Sequence, residues 1–372
     1  MRPTVPLILF GACDRHNFGD LLFPHIAAAL QPDREIIVAG LAARDLTPCG
    51  GHRVVPLVEL AGQWRGRPVE ILHVGGEILT CDAWQAAVML QPPAEAQAAI
   101  VHLENQPALR QAWVEAQLGI ADRAPYAVAR ARFPHATRVA YQAVGGVALD
   151  ACAPALRAEV VAKLSEADEV SVRDRRTQAQ LAAADIHAGL VPDPAVMVAE
   201  LFGAEIGRHI DGGEVAGLRR AFPQGYLAIQ FSADFGDDAT LAGIAAQLGR
   251  LTAETGLGMV FFRAGAAPWH DDLDVYRRTI GRMREGAAHL FASLHLWDIC
   301  ALIAASRGYC GSSLHGRIVA AAYALPRVSL IHPGLAERPT KQAAYAETWE
   351  PAGMNTVVSP DGIDAALQAA LS

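Results

Sequence analysis

The chain has 372 residues, more than one ordinary core accommodates, so two domains are expected. A hydrophobic fraction of 52% with 33 glycines suits a well-buried α/β protein and excludes a disordered one. The net charge of −8 excludes a broad nucleic-acid-binding face, so any anion site must be local.

The N-terminal apolar run Val5–Ala12 is too short for a signal or membrane segment and predicts a first buried strand. Further strands are predicted at Glu35–Gly40, Glu70–Gly76, Arg138–Gly146, Glu169–Asp174 and Ala188–Asp193. Helices are predicted between them, at Leu21–Leu30, Pro154–Ser165 and Arg175–Ala184. The region Asp82–Phe133 is read as inserted helices and loops. The rhythm returns in Tyr226–Ser232, Gly258–Gly265, Ala288–Ser293, Arg307–Ser312 and Arg327–Ile331, with an amphipathic helix over Ser293–Ser306.

Such alternation predicts parallel sheets covered on both faces. The glycine-rich stretch Leu201–Val215 reads as the boundary, giving Rossmann-like domains over 1–205 and 206–372. Two doubly wound domains in tandem predict a cleft between them, with ligands beyond the carboxyl ends of the strands. The six cysteines, Cys13, Cys49, Cys81, Cys152, Cys300 and Cys310, show no metal-type spacing. They predict reduced thiols in a cytoplasmic protein.

The strand ends hold the candidate chemistry. "GACDRHNFGD" (Gly11–Asp20) places Asp20 at or near a helix start, as a cap or as a carboxylate that orients or deprotonates a hydroxyl. Paired glycines in "HVGGE" and "YQAVGG" allow close backbone approach. Arg173 follows an alternating strand and would grip a carboxylate or phosphate, while Asp174 reads as an N-cap. Arg263 ends a strand in the second half. His270 with its neighbouring aspartates reads as caps and solvated charge, and His295 as a capping or surface histidine. Gly311, Ser312 and Ser313 would leave helix N–H groups free for an anion, with His315 and Arg317 on the first turn.

Taken in order, "NFGD" (Asn17–Asp20), "VGGEIL" (Val74–Leu79), "YQAVGG" (Tyr141–Gly146), "SVRDRRT" (Ser171–Thr177), "PDPA" (Pro192–Ala195) and "SSLHGRIVAAAYALPRVSL" (Ser312–Leu330) resemble the polysaccharide pyruvyl transferase family. The resemblance implies a GT-B-like fold and transfer of pyruvyl from phosphoenolpyruvate to sugar hydroxyls as a ketal. It implies that His315 and Arg173 serve the donor; with Asp20 as the candidate base or orienter of the acceptor hydroxyl, these are the expected catalytic residues. Substrate contacts would come from Asn17, Gly19, Gly75, Gly76, Gln142, Gly145, Arg263, Ser312, Ser313, Leu314, Gly316 and Arg317. The first domain would serve the acceptor and the second the donor, without cofactor or metal.

Ser313 stands where the family often has arginine, so Arg317 or Arg263 would compensate, or the donor or reaction differs. The acceptor would be a sugar, a nucleotide-sugar or a lipid-linked glycan, with at most peripheral membrane contact. The alternatives are a nucleotide-sugar glycosyltransferase on the same fold and a non-catalytic glycan-binding relative.

Overall fold

The computed structural model describes residues 5–335, 338–351 and 356–372. The chain divides into two compact units, Met1–Pro194 and Ala195–Ser372.

Among the described residues, unit 1 holds eight strands: β1 (Leu7–Phe10), β2 (Ile36–Gly40), β3 (Arg44–Asp45), β4 (Arg53–Pro56), β5 (Val69–His73), β6 (Ala136–Val144), β7 (Glu169–Val172) and β8 (Gly189–Leu190). They form one sheet in the order β3-β4-β2-β1-β5-β6-β7-β8. Every neighbour pair is parallel except β3 with β4. All of β1 is buried, and its residues alternate between two cores: Ile8 and Phe10 in one, Leu7 and Leu9 in the other. A strand buried on both faces has no use for polar alternation, which is why this run is uniformly apolar. The Asp82–Phe133 region contains the helices Ala83–Met89, Pro93–Leu103 and Pro107–Leu118.

Unit 2 repeats the plan with β9 (Tyr226–Gln230), β10 (Gly258–Phe261), β11 (Ala288–Leu290), β12 (Gly308–Gly311), β13 (Arg327–Leu330) and β14 (Val357–Val358). The order is β11-β10-β9-β12-β13-β14, parallel throughout. In each sheet the chain first winds outward from one strand and then restarts on that strand's other side. The reversal falls between β1 and β5 in unit 1, and between β9 and β12 in unit 2. Ligand crevices of open parallel sheets form at such points, outside the carboxyl ends.

The units divide earlier in the chain than 205/206. Leu201–Val215 is largely helical, in Val198–Ile210 and the start of Gly213–Ala221, rather than a turn. Apolar residues at Val198, Phe202 and Ile206 recur every fourth position, and their packing outweighs the cost of about 1 kcal/mol for each helical glycine. All six cysteines are free. Among the described residues no helix is long and apolar enough to cross a membrane.

Candidate functional site

The β1/β5 reversal in unit 1 collects the Asn-x-Gly-Asp and Gly-Gly segments. Asn17, not Asp20, caps the helix Phe18–Ala29, its side chain accepting from Gly19 N at 3.2 Å. Asp20 is therefore released from capping and lies on the first turn, 9% exposed, 4.0 Å from Arg15. Gly75 and Gly76 follow β5 with φ of 91° and 85°, and a Cβ on Gly76 would stand 3.5 Å from Asp20 Oδ1. The backbone thus passes close beside the carboxylate. Arg15 also donates to Tyr126 Oη, and Tyr126 Oη in turn donates to the buried Asp14 at 3.3 Å. Burial raises the Asp14 pKa against the backbone N–H groups of Leu41 and Ala42, which hold its carboxylate.

Next along the same edge, β6 ends in a bulge opposite β7, with Ala143 at φ 49°. Ala143 N donates to Ser171 Oγ at 3.0 Å, which helps hold this costly conformation. The adjoining Gln142 is half-buried. Arg173 is 1% exposed and pairs with Glu77 at 2.8 Å and Asp193 at 3.0 Å. Burial weakens its charged form, but the two carboxylates outweigh that and raise its pKa. Gly145 is required by this packing: a Cβ there would run into Glu77 and lie 2.8 Å from Arg173 Nη2. Asp174 caps the next helix through Thr177 N at 2.7 Å, as expected.

The β9/β12 reversal in unit 2 collects the Ser-Ser-Leu-His-Gly segment. Gln230 ends β9, 2% exposed, and accepts from Ser313 N at 2.8 Å. Gln230 also donates to Asp271 at 2.8 Å, while Asp271 accepts from Ala264 N at 2.6 Å. Burial pushes the Asp271 pKa up to about 7, with these donors opposing the rise. The Ser312 hydroxyl accepts from Ser232 N at 3.1 Å. Ser313 caps the helix Leu314–Ala322 through Gly316 N at 3.2 Å.

Gly316 lies on the Tyr309 ring, where a Cβ would come within 2.6 Å of ring carbon. Tyr309 Oη in turn donates to Ser313 O at 3.0 Å. Leu314 is buried and His315 is 7% exposed on the first turn. Arg263 follows β10, half-buried, and its side chain has no hydrogen bond or ion pair among the described residues.

Three expectations are altered by these contacts. The helix start leaves fewer N–H groups open than expected: Ser313 Oγ takes Gly316 N and Gln230 takes Ser313 N, while Leu314 N has no hydrogen bond among the described residues. Arg317 does not face a donor. It is fully buried, bonded to both Glu350 oxygens, to Ser329 Oγ and to Thr356 O. Arg173 is likewise enclosed by its carboxylates, so it fixes Glu77 rather than presenting an open guanidinium. Arg15 escaped the reading of its own strand end, where the glycines and Asp20 drew the assignment. Gln230 carried no local signal, because its role comes from strand pairing. Asp271, read with its neighbours as caps and solvated charge, instead holds Ala264 N and Gln230 in the loop after β10, and Asp272 is the aspartate that caps Leu273–Ile280.

A family model described as polysaccharide pyruvyl transferase matches residues 144–332. That span contains Gly145, Arg173, Arg263 and Ser312–Arg317; Asn17, Gly19, Asp20, Gly75, Gly76 and Gln142 precede it. No curated protein matches the chain. Two structures of UDP-GlcNAc 2-epimerase from Methanocaldococcus jannaschii are similar in fold. One has a TM-score of 0.57 at 12% identity, covering 99% of this chain and 91% of that one. The other, in complex with UDP-GlcNAc and UDP, has 0.55 at 11%, covering 99% and 93%. The S. aureus MnaA–UDP co-structure gives 0.55 at 12%, covering 98% and 87%. These likenesses establish the GT-B-like class of two Rossmann-like parallel-sheet units.

Proposed function

The chain belongs to the polysaccharide pyruvyl transferase family, and from that premise we propose that it transfers pyruvyl from phosphoenolpyruvate to hydroxyls of a sugar or glycan, closing a ketal. The observation that carries this reading is the carboxyl edge of unit 2, where Arg263, without an ion-pair partner among the described residues, and the His315 helix flank β9. The strands they follow, β10 and β12, are both neighbours of β9 and so stand about 10 Å apart. An arginine side chain and a small dianion span that distance.

In this reading Arg263 receives the phosphate or carboxylate of the donor. His315 protonates the methylene carbon of phosphoenolpyruvate, making C2 oxocarbenium-like. One sugar hydroxyl attacks C2, phosphate leaves with its bridging oxygen, and a second hydroxyl closes the ketal. Each attacking hydroxyl gives up its proton, and Asp20 accepts or orients the first. Arg173 acts as a positioning residue that sets Glu77, and Arg317 as a tie between its helix and the segment around Glu350. Asn17, Gly75 and Gly76 shape the edge beside Asp20, and Gln142 faces the acceptor. The proposed steps use no cofactor and no metal.

The test is phosphate release from phosphoenolpyruvate across free, nucleotide-linked and lipid-linked sugars, with the product checked by mass for a ketal. His315→Ala is expected to lower turnover by about 100-fold or more with an unchanged melting temperature. Unchanged turnover would remove His315 from the chemistry. Release dependent on a nucleotide-sugar instead would favour the glycosyltransferase reading.

A further inference from the structure

Within unit 2, the helix Val198–Ile210 packs against the helix Leu296–Ala304, on the chain that follows the edge strand β11. Two histidines and two carboxylates converge at their junction. His209 Nδ1 lies 2.6 Å from Asp298 Oδ1, and His209 Nε2 lies 3.3 Å from Glu205 Oε1. The His295 ring stacks on His209, centroids 5.2 Å apart and planes at 16°. One ligand atom each from His209, His295 and Asp298 lie within 4.8 Å of one another.

Two further features point to a ligand. His295 Nδ1 is buried and has no hydrogen-bond partner among the described residues. Its residue holds the N-cap position of the second helix, yet its side chain makes no capping bond. Ser293 organises the same group from outside, donating to Asp298 Oδ2 at 2.5 Å and accepting from His295 N at 3.1 Å.

We propose that His209, His295 and Asp298 bind a zinc-class divalent metal ion. Two imidazoles and a carboxylate are a donor set that zinc accepts, and the ion leaves one position for solvent. Ligand atoms on a tetrahedral ion stand about 3.3 Å apart, so binding parts His209 Nδ1 and Asp298 Oδ1 from their 2.6 Å contact while His295 stays within reach. Glu205 then has a defined part. With the ion on His209 Nδ1, the Nε2–H donates to Glu205, the outer carboxylate that metal-bound histidines commonly have. Ser293 does the same for Asp298. The ion would pin two helices of unit 2 together, and the site is independent of the transfer reaction.

The alternative is His209 held between the two carboxylates with no ion, which leaves His295 without a part, so His295 is the discriminating residue. Full-length protein stripped with a chelator is dialysed to equilibrium against zinc chloride, and its melting temperature is measured with and without zinc. One zinc per chain is expected, with a rise in melting temperature, because a ligand bound only by the folded state stabilises it. His295→Ala and His295→Gln should lose that uptake and that rise while melting like the native protein in the absence of metal. Ser293→Ala should weaken uptake by about tenfold. Absence of stoichiometric zinc in the native protein, or equal uptake by both His295 variants, would overturn the site.

Discussion

Arg317 donates to both oxygens of Glu350 from a fully buried position, and Arg327 meets the same carboxylate at 3.1 Å. Removing it leaves a buried charge with half its compensation. Arg317→Leu is expected to cost about 3 kcal/mol in urea denaturation while leaving phosphoenolpyruvate binding intact. Lost binding with unchanged stability would make it a donor ligand after all. Both Arg173 and Arg317 sit beside readable motifs, so a sequence suggests anion-gripping for each. What it does not show is the carboxylate that arrives from elsewhere, Asp193 twenty residues from Arg173 and Glu350 thirty-three residues from Arg317. A half-buried Arg263 and an enclosed Arg317 look alike in one dimension. The fold separates them.

At the scale of elements, long apolar strands were legible because burial on both faces leaves a continuous hydrophobic run. The expected Glu35–Gly40 and Tyr226–Ser232 correspond to β2 and β9. The pairs β3 and β4, with the two-residue β14, were not legible. Arg44–Asp45 is exposed and too short to show a period, and its pairing with β4 comes from tertiary placement. The β6 bulge at Ala143 was equally silent, since alanine signals no left-handed backbone.

The loop after β10 depends on Asp271, which ties Ala264 N to Gln230 and so to Ser313. Its folded pKa of about 7 exceeds its ordinary 3.8. The folded state therefore holds more protons between those values, and this contribution to stability, complete below about 4, is lost as pH rises through about 7. Asp271→Asn should flatten that part of the stability profile in urea titrations across the window. An unchanged slope would show that another group titrates there.

For the molecule as a whole, tandem Rossmann-like units were readable from the alternation of elements, but their division at 194/195 was not. Glycines in Leu201–Val215 mimicked a linker where a helix with a periodic apolar face forms. The proposed phosphoenolpyruvate site lies at the carboxyl edge of unit 2. The most direct measurement is a thermal-shift titration with phosphoenolpyruvate, with UDP and GDP in parallel, on the native protein, Arg263→Ala and Arg317→Leu. Phosphoenolpyruvate is expected to raise the melting temperature of the native protein and of Arg317→Leu from its lower baseline, and to leave Arg263→Ala unmoved. A shift with a nucleotide alone, or a phosphoenolpyruvate shift that survives in Arg263→Ala, would contradict it.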